Sequence, residues 1–456
     1  MTVGEDREKI RSDKSENHPD ILIEGGTLLS MVDGEAPMEN ASVYIVDNRI
    51  EEIRQGIRHK KPDGAECIKA RDCIIMPGLI NGHGHSAMTL FRGYADDLPL
   101  KQWLFEKIFP AESEFLSPES VYWGTMLACL EMISSGTTGV IESYFFEDNA
   151  AQAIHQSGLR ALVAQGVIDF PAPGVKNPEN NLAVAREFIE KWLDISPLIT
   201  PGIFCHSPVT CSEQTFVGAH EMSREFGSPL QTHLSETSEE VKEVIRRTGK
   251  RPVQYLDGMG ILGHDLIAAH SVHLNDEEIE LLRKRGVGVV HVPESNMKLA
   301  SGIADVTRML GMGITIGLGT DGCASNNNLD LIKEMDIAAK LGKIVTADPV
   351  NMNAETVLKM ATSRGARLMG LEKETGTVEK GKKADIIVVD MTGPHLVPLY
   401  NPMSAIVYSA NGADVKDVIV NGRILMKDRD IKTLDKEEIL IKVKEICRKM
   451  GTFPFT

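Results

Sequence analysis

Four places along the chain set an imidazole or a carboxylate at the end of an apolar run. His83-Gly84-His85 closes Pro77-Gly78-Leu79-Ile80-Asn81-Gly82, and His233 closes Leu230-Gln231-Thr232. His270 closes Leu266 to Ala269, and Asp321 follows Ile314 to Leu318 after Gly319-Thr320. In an extended strand, residues i and i+2 share a face, so His83 and His85 can turn toward one ion. With 13 histidines among 456 residues, a His-x-His pair arises often enough by chance to decide nothing by itself. Each of the other positions, taken alone, reads more readily as a packed core histidine or a turn-forming Asp-Gly than as a ligand. Four separate runs ending this way call for a common cause. His83, His85, His233 and Asp321 make three neutral imidazoles and one carboxylate, a donor set that suits Zn²⁺ or Fe²⁺ and leaves room for water.

Such residues need a scaffold that brings strand ends together. Apolar strand-like segments recur at Ile74 to Ile80, Thr137 to Ile141, Arg160 to Ile168, Leu198 to Cys205, Leu230 to His233, Leu266 to His270, Val287 to Val292 and Ile314 to Leu318. Helical patterns fall between them, among others at Val121 to Ser134, Leu182 to Leu193, Glu213 to Phe226, Glu277 to Arg285 and Leu329 to Leu341. Alternation of this kind predicts a parallel sheet, and eight strands predict an α/β fold of the (β/α)8 TIM-barrel type, with a doubly wound open sheet as the alternative. Both ends of the chain differ from this middle. Short β segments at Ile21 to Ile23, Ala41 to Val46 and Arg49 to Ile53 are matched by Ala384 to Asp390 and Val415 to Val420, with Asn421-Gly422 as a hairpin turn. The expected organisation is a polar tail over 1–19, a barrel over 77–375, and a small β-sandwich domain built jointly from 20–76 and 376–456.

Composition excludes several other functions. Hydrophobic residues at 42% and charged residues at 25% are ordinary globular values. A net charge of −16 repels polyanions, so neither nucleic acid nor an anionic membrane is expected as a partner. Apolar runs such as Ile386 to Val389 fall far short of the ~20 residues that span a bilayer. The first 20 residues lack an apolar export segment, and the seven cysteines are scattered without a CxxC pair. A cytoplasmic protein with reduced thiols is expected. The amphipathic pattern at Ile439 to Met450 is a packing or oligomer surface, and a homo-oligomer is expected.

The His-x-His after strand one, the strand-five His with Glu236 three residues later, the strand-six His270 and the strand-eight Asp321 together resemble the amidohydrolase superfamily. Longer stretches resemble its 5-methylthioadenosine/S-adenosylhomocysteine deaminases. They include Met88 to Gly93, Asp96 to Leu100, Trp103-Leu104, Pro110-Ala111-Glu112, His206-Ser207-Pro208, His233 to Thr237, Ser295 to Leu299 and Gly319 to Asn327. The resemblance covers nearly the whole chain and implies the split sandwich expected above. Superfamily members with two metals carry a lysine at the end of strand four. Ile199 to His206 has none, so one divalent metal is expected.

The resemblance implies hydrolytic deamination at C6 of the adenine ring of 5′-substituted adenosines, with a metal-activated water as nucleophile. Asp321 would accept the proton of that water, His270 would orient it, and Glu236 would protonate ring nitrogen N1 and serve the departing ammonia. In an unbroken strand His233 and Glu236 would face opposite ways, so the chain is expected to leave extended geometry just after His233. The same resemblance assigns Glu112 to the ribose hydroxyls, His206 to the sugar or base, and Trp103 to an apolar wall. Against these stand a helix-start Glu112, a core Trp103 and a merely structural His206. Gln165 stands where an arginine for the homocysteine carboxylate is expected, with Lys176 as a substitute from the following loop. The alternative reading is an aminohydrolase or chlorohydrolase of another N-heteroaromatic ring, such as guanine, a pterin or a triazine. A non-catalytic assembly protein on the same scaffold is a third, disfavoured because no ligand position is missing.

Overall fold

Residues 20–56 and 64–451 are described by the computed structural model of the chain; the expected polar tail, 1–19, lies outside the described residues. Eight parallel strands form one sheet in sequence order: Leu79–Gly84, Thr137–Tyr144, Arg160–Val167, Ile199–Cys205, Leu230–Leu234, Leu266–His270, Gly288–His291 and Ile316–Leu318. Strands such as Arg160–Val167 and Leu266–His270 are buried throughout. That burial on both faces explains why they read as unbroken apolar runs rather than alternating ones. Alternation persists in three dimensions: Leu162 and Ala164 pack inside the barrel with Ile141, Phe204 and Val290, while Ala161 and Val163 join the outer layer with Ile189 and Trp192. The result is a (β/α)8 barrel.

Helices between the strands start and stop on local chemistry. Asp276–Arg285 begins at a capping box formed by Asn275 and Glu278 and ends on Gly286 at φ 75°, a left-handed cap that glycine adopts without a Cβ penalty. Helix Glu213–Phe226 matches the span expected from periodicity. The terminal helix Lys436–Lys449 lies against helix Pro118–Ser134, with Ile439, Val443 and Ile446 buried.

The barrel is joined edge to edge by its first and eighth strands. Asp321 N donates to His83 O at 3.0 Å. Thr320 N donates to Asn81 Oδ1 at 3.0 Å, and Asn81 Nδ2 to Thr320 Oγ1 at 2.8 Å. A Cβ on Gly319 would lie 2.7 Å from the His83 amide nitrogen, so the close approach requires glycine.

The second layer is a nine-stranded mixed sheet made from both chain ends. Its order runs from Asp430–Ile431 through Arg423–Lys427, Val415–Val420, Ile386–Asp390, Cys73–Pro77, Ile21–Leu28 and Met38–Val46 to Arg49–Gln55, with Glu66–Lys69 pairing beside Ile21–Leu28. Asn421 and Gly422 take φ of 49° and 77°, the positive pair a two-residue hairpin turn needs. The run expected as one strand from Ile74 to Ile80 divides at Gly78: Cys73–Pro77 belongs to the end sheet and Leu79–Gly84 to the barrel. A Cβ on Gly78 would meet the Thr138 side chain at 2.1 Å, so glycine permits the crossing. Among the described residues, no helix is long and apolar enough to cross a membrane.

Candidate active site

Strand ends at one mouth of the barrel bring five metal-competent groups to a common point. His83 Nε2 lies 3.1 Å from His233 Nε2, and His233 Nε2 lies 3.3 Å from His85 Nε2. Asp321 Oδ1 is 3.3 Å from His85 Nε2 and 3.7 Å from His83 Nε2. One ligand atom from each of His83, His233, His270 and Asp321 falls within 4.8 Å of the others. His270 thus stands close to the same point, and His85 reaches it between His233 and Asp321, 3.3 Å from each. Outer contacts aim the rings: His85 Nδ1 bonds the Ser143 carbonyl, and His270 Nδ1 meets Asn296 Oδ1 at 2.9 Å. With Nδ1 turned to an outer oxygen, Nε2 is the nitrogen that faces inward. Lone pairs of several imidazoles and a carboxylate at this separation repel unless a cation is shared between them. This cluster can hold a divalent metal.

The backbone leaves extended geometry where the site begins. Ser235, His270, Ser271 and Asp321 all have positive φ, at 52°, 68°, 50° and 61°. Left-handed conformations at non-glycine residues cost roughly 1–3 kcal/mol each and persist where surrounding bonds over-determine them. Here Ser271 N donates to Leu234 O and His273 N to Ser235 O, both at 2.9 Å. The turn at Ser235 breaks the strand parity that would send His233 and Glu236 to opposite faces. Both consequently reach one cavity.

Electrostatics follow from burial and proximity. Burial alone would raise the Asp321 carboxyl, but the His85 hydrogen bond and the charges of His85 and His270 hold it well below the usual range. Asp321 also accepts from Ser295 Oγ at 2.6 Å, Ser325 Oγ at 2.9 Å and Gly322 N at 2.9 Å. Burial, with neighbouring imidazoles adding to it, drives His83 and His233 well below the usual histidine range. They are therefore neutral and fit to ligate. Glu236 is raised by burial against the opposing pull of His270. Its carboxylate lies 3.6 Å from His270 Nε2 and accepts from Ser301 Oγ at 3.0 Å, so it can carry a proton beside the cluster.

One cavity contains His85, His233, Glu236, His270 and Asp321 together with Trp103, Glu112 and His206. Trp103 and Glu112 are both buried and come from the cover segment between the first strand and helix Pro118–Ser134. Burial pushes the Glu112 carboxyl up to about 7, partly offset by the Tyr144 hydroxyl, which donates to Glu112 Oε1 at 2.5 Å. His206 is pushed down to about 3 by burial and by His85 and His270.

Gln165 does not join them. Its Oε1 accepts from Glu147 N at 3.3 Å and its Nε2 donates to Gly166 O at 3.1 Å. Gln165 is not among the residues that line the cavity. Gly166 and Val167 line the cavity instead. Reading from the residues missed Tyr144 and Glu240, which both line it too. Thr237-Ser238-Glu239-Glu240 carries the T-x-x-E signature of a capping box, and that signal marks Glu240 as part of the turn behind Glu236. No pattern in the sequence singles out Tyr144.

A model of the amidohydrolase family matches residues 74–425. A 5-methylthioadenosine/S-adenosylhomocysteine deaminase of Syntrophobacter fumaroxidans is 46% identical over 94% of this chain and 98% of its own length. A 5′-deoxyadenosine deaminase of Methanosarcina mazei is 44% identical over 94% and 98%. Among solved structures, a zinc-bound adenosine deaminase from Xanthomonas campestris superposes with a TM-score of 0.92 at 36% identity, covering 95% of this chain and 99% of that one.

Proposed function

The chain belongs to the amidohydrolase family, and on that premise we propose that it is a metal-dependent aminohydrolase converting 5′-substituted adenosines to the inosine analogues and ammonia. The observation that carries the reading is Glu236. A buried carboxyl able to hold a proton stands 3.6 Å from His270, beside a cluster that can take a divalent metal, in a cavity that also holds Glu112. Deaminase relatives matched over nearly their whole length support it.

In this reading His83, His85, His233 and Asp321 hold a single metal ion, zinc before iron, and His270 stands beside it rather than in the ligand set. The absence of lysine from Ile199–Cys205 supports one ion. When bound, the metal supplies Lewis acidity that makes a water nucleophilic near neutral pH. Asp321 takes the proton of the attacking water, and His270 orients that water toward C6. Glu236 gives its proton to N1 as the C6–oxygen bond forms. It then shuttles the proton from the new hydroxyl to the amino group, so that the C6–nitrogen bond breaks with ammonia as leaving group. Glu112 accepts from the ribose hydroxyls, Trp103 packs on the nucleoside, and His206 contacts the sugar or base. The catalytic unit is the barrel over 77–375, braced by the composite end domain of 20–76 and 376–456. A cytoplasmic homo-oligomer completes the reading, with light scattering after size exclusion as its check.

Ammonia release from a panel of adenosines, free purines and triazines, alongside metal analysis of the purified protein, tests the function. We expect about one metal per chain and turnover of nucleosides only. Turnover of guanine or a triazine without nucleosides would move the chain to another ring. Activity that survives complete metal removal would overturn the mechanism.

A further inference from the structure

Resting on the deaminase reading, we propose that this site selects adenosines whose 5′-substituent is uncharged and rejects those that carry a carboxylate there. Glu236 and the strand-end cluster occupy the place of the adenine ring, and Glu112 that of the ribose. What remains for the substituent is the cover of the cavity. That wall consists of Leu100, Trp103, Leu104 and Phe109, with Met88 and Leu299 beside them. An apolar chain gains by being buried there.

A carboxylate would find nothing to pair with. Among the described residues that line the cavity there is no lysine or arginine. The ionisable groups of the lining are the imidazoles of the cluster and His206 with Glu112, Glu236, Glu240 and Asp321, so a carboxylate at the apolar cover would lose its water without gaining a cationic side chain. Of the cations on adjoining segments, Lys101, Lys107 and Lys176 are exposed and lie outside the cavity lining, and three others are engaged. Arg92 pairs with Glu131 and with the Asn327 carbonyl. Lys298 is bound to Asp96 at 2.5 Å and to Asn327. Arg247 spends its guanidinium on the carbonyls of Val209 and Pro208. Gln165 does not line the cavity, and its amide is spent on Glu147 N and Gly166 O. A buried charge left unpaired is penalised far more than a missing methylene. Relatives named for S-adenosylhomocysteine and for 5′-deoxyadenosine resemble the chain about equally, and the lining decides between these two substituent chemistries.

The test is kcat/KM for 5′-deoxyadenosine, 5′-methylthioadenosine, 5′-(n-butylthio)adenosine, 5′-(3-carboxypropylthio)adenosine and S-adenosylhomocysteine. Butylthio matches the reach of the two acids without their charge, which separates size from electrostatics. We expect the three neutral substrates to agree within about 10-fold and both acids to fall roughly 100-fold or more below butylthio. Acids turned over within about 3-fold of butylthio, with all five substrates active, would overturn this inference and leave the deaminase reading intact. Failure of every nucleoside to release ammonia would sink both.

Discussion

The Glu236 carboxyl is raised chiefly by burial, with His270 the largest influence opposing that rise. Glu236→Gln keeps the size and the Ser301 contact but removes the transferable proton. We expect kcat to fall by about 10²–10⁴-fold with metal content unchanged by elemental analysis; near-parental turnover would remove the residue from the mechanism. Glu112 makes a second prediction through pH. Its ordinary value is 4.5, and burial pushes it up to about 7 in the fold. The folded chain thus binds this proton more tightly than the unfolded one. The associated stability is full below about 4.5 and is lost as pH rises through about 7. Glu112→Gln retains an acceptor for Tyr144 and abolishes that titration. Melting curves from pH 4.5 to 7.5 should show the parent losing ground steadily to the variant, and a gap that does not change with pH would contradict it.

Elements decide where such residues point. Helix Ser238–Thr248 opens on a reciprocal capping box between Thr237 and Glu240. Glu240 Oε2 also accepts from Glu236 N at 3.0 Å and Thr237 N at 3.1 Å. The device that starts the helix therefore also holds the backbone of Glu236. Glu240→Ala should cost about 1 kcal/mol of stability, as lost caps do, while kcat drops about 10-fold or more through misplacement. Glu240→Gln, still an acceptor, should recover most of the stability. Parental kcat in the alanine variant would show that the cap does not position Glu236. The left-handed turn at Ser235 belongs to the same short segment. Its need was legible from the parity of His233 and Glu236, but its location was not, because serine has no strong preference that marks a positive φ.

At the scale of the molecule, a buried ion pair ties the barrel to the end sheet. Arg160, on the third barrel strand, donates to Asp385 through Nε at 2.8 Å and Nη2 at 3.1 Å. Asp385 also accepts from Asn421 N at 2.7 Å, and its carbonyl accepts from Gly78 N at 3.0 Å. Three distant parts of the chain meet on one aspartate. Removing one side of such a pair leaves a buried charge alone, so Asp385→Ala should destabilise by about 3–5 kcal/mol in denaturant titrations. The folded fraction should keep its kcat, since none of these groups lines the cavity. A loss under about 1 kcal/mol would show that the layers are held by apolar contact alone. The charge of −16 acts at this scale too, repelling polyphosphates while leaving an uncharged nucleoside free to approach.

By itself the sequence determined the alternation of buried strands and helices, because fully buried strands must be apolar from end to end and helices carry their caps locally; closure into a barrel rather than an open sheet it left undecided. It also determined which residue types stand at the strand ends, since His83, His85, His233, His270 and Asp321 each close or follow an apolar run. Tertiary structure alone decided which of these close on one another, since the seam between Gly319 and His83 joins residues more than 200 positions apart and no local pattern encodes that approach. It placed Tyr144 against Glu112 and left Gln165 out of the cavity lining. Strand parity is countable in one dimension, but which parity faces the cavity depends on how the sheet closes.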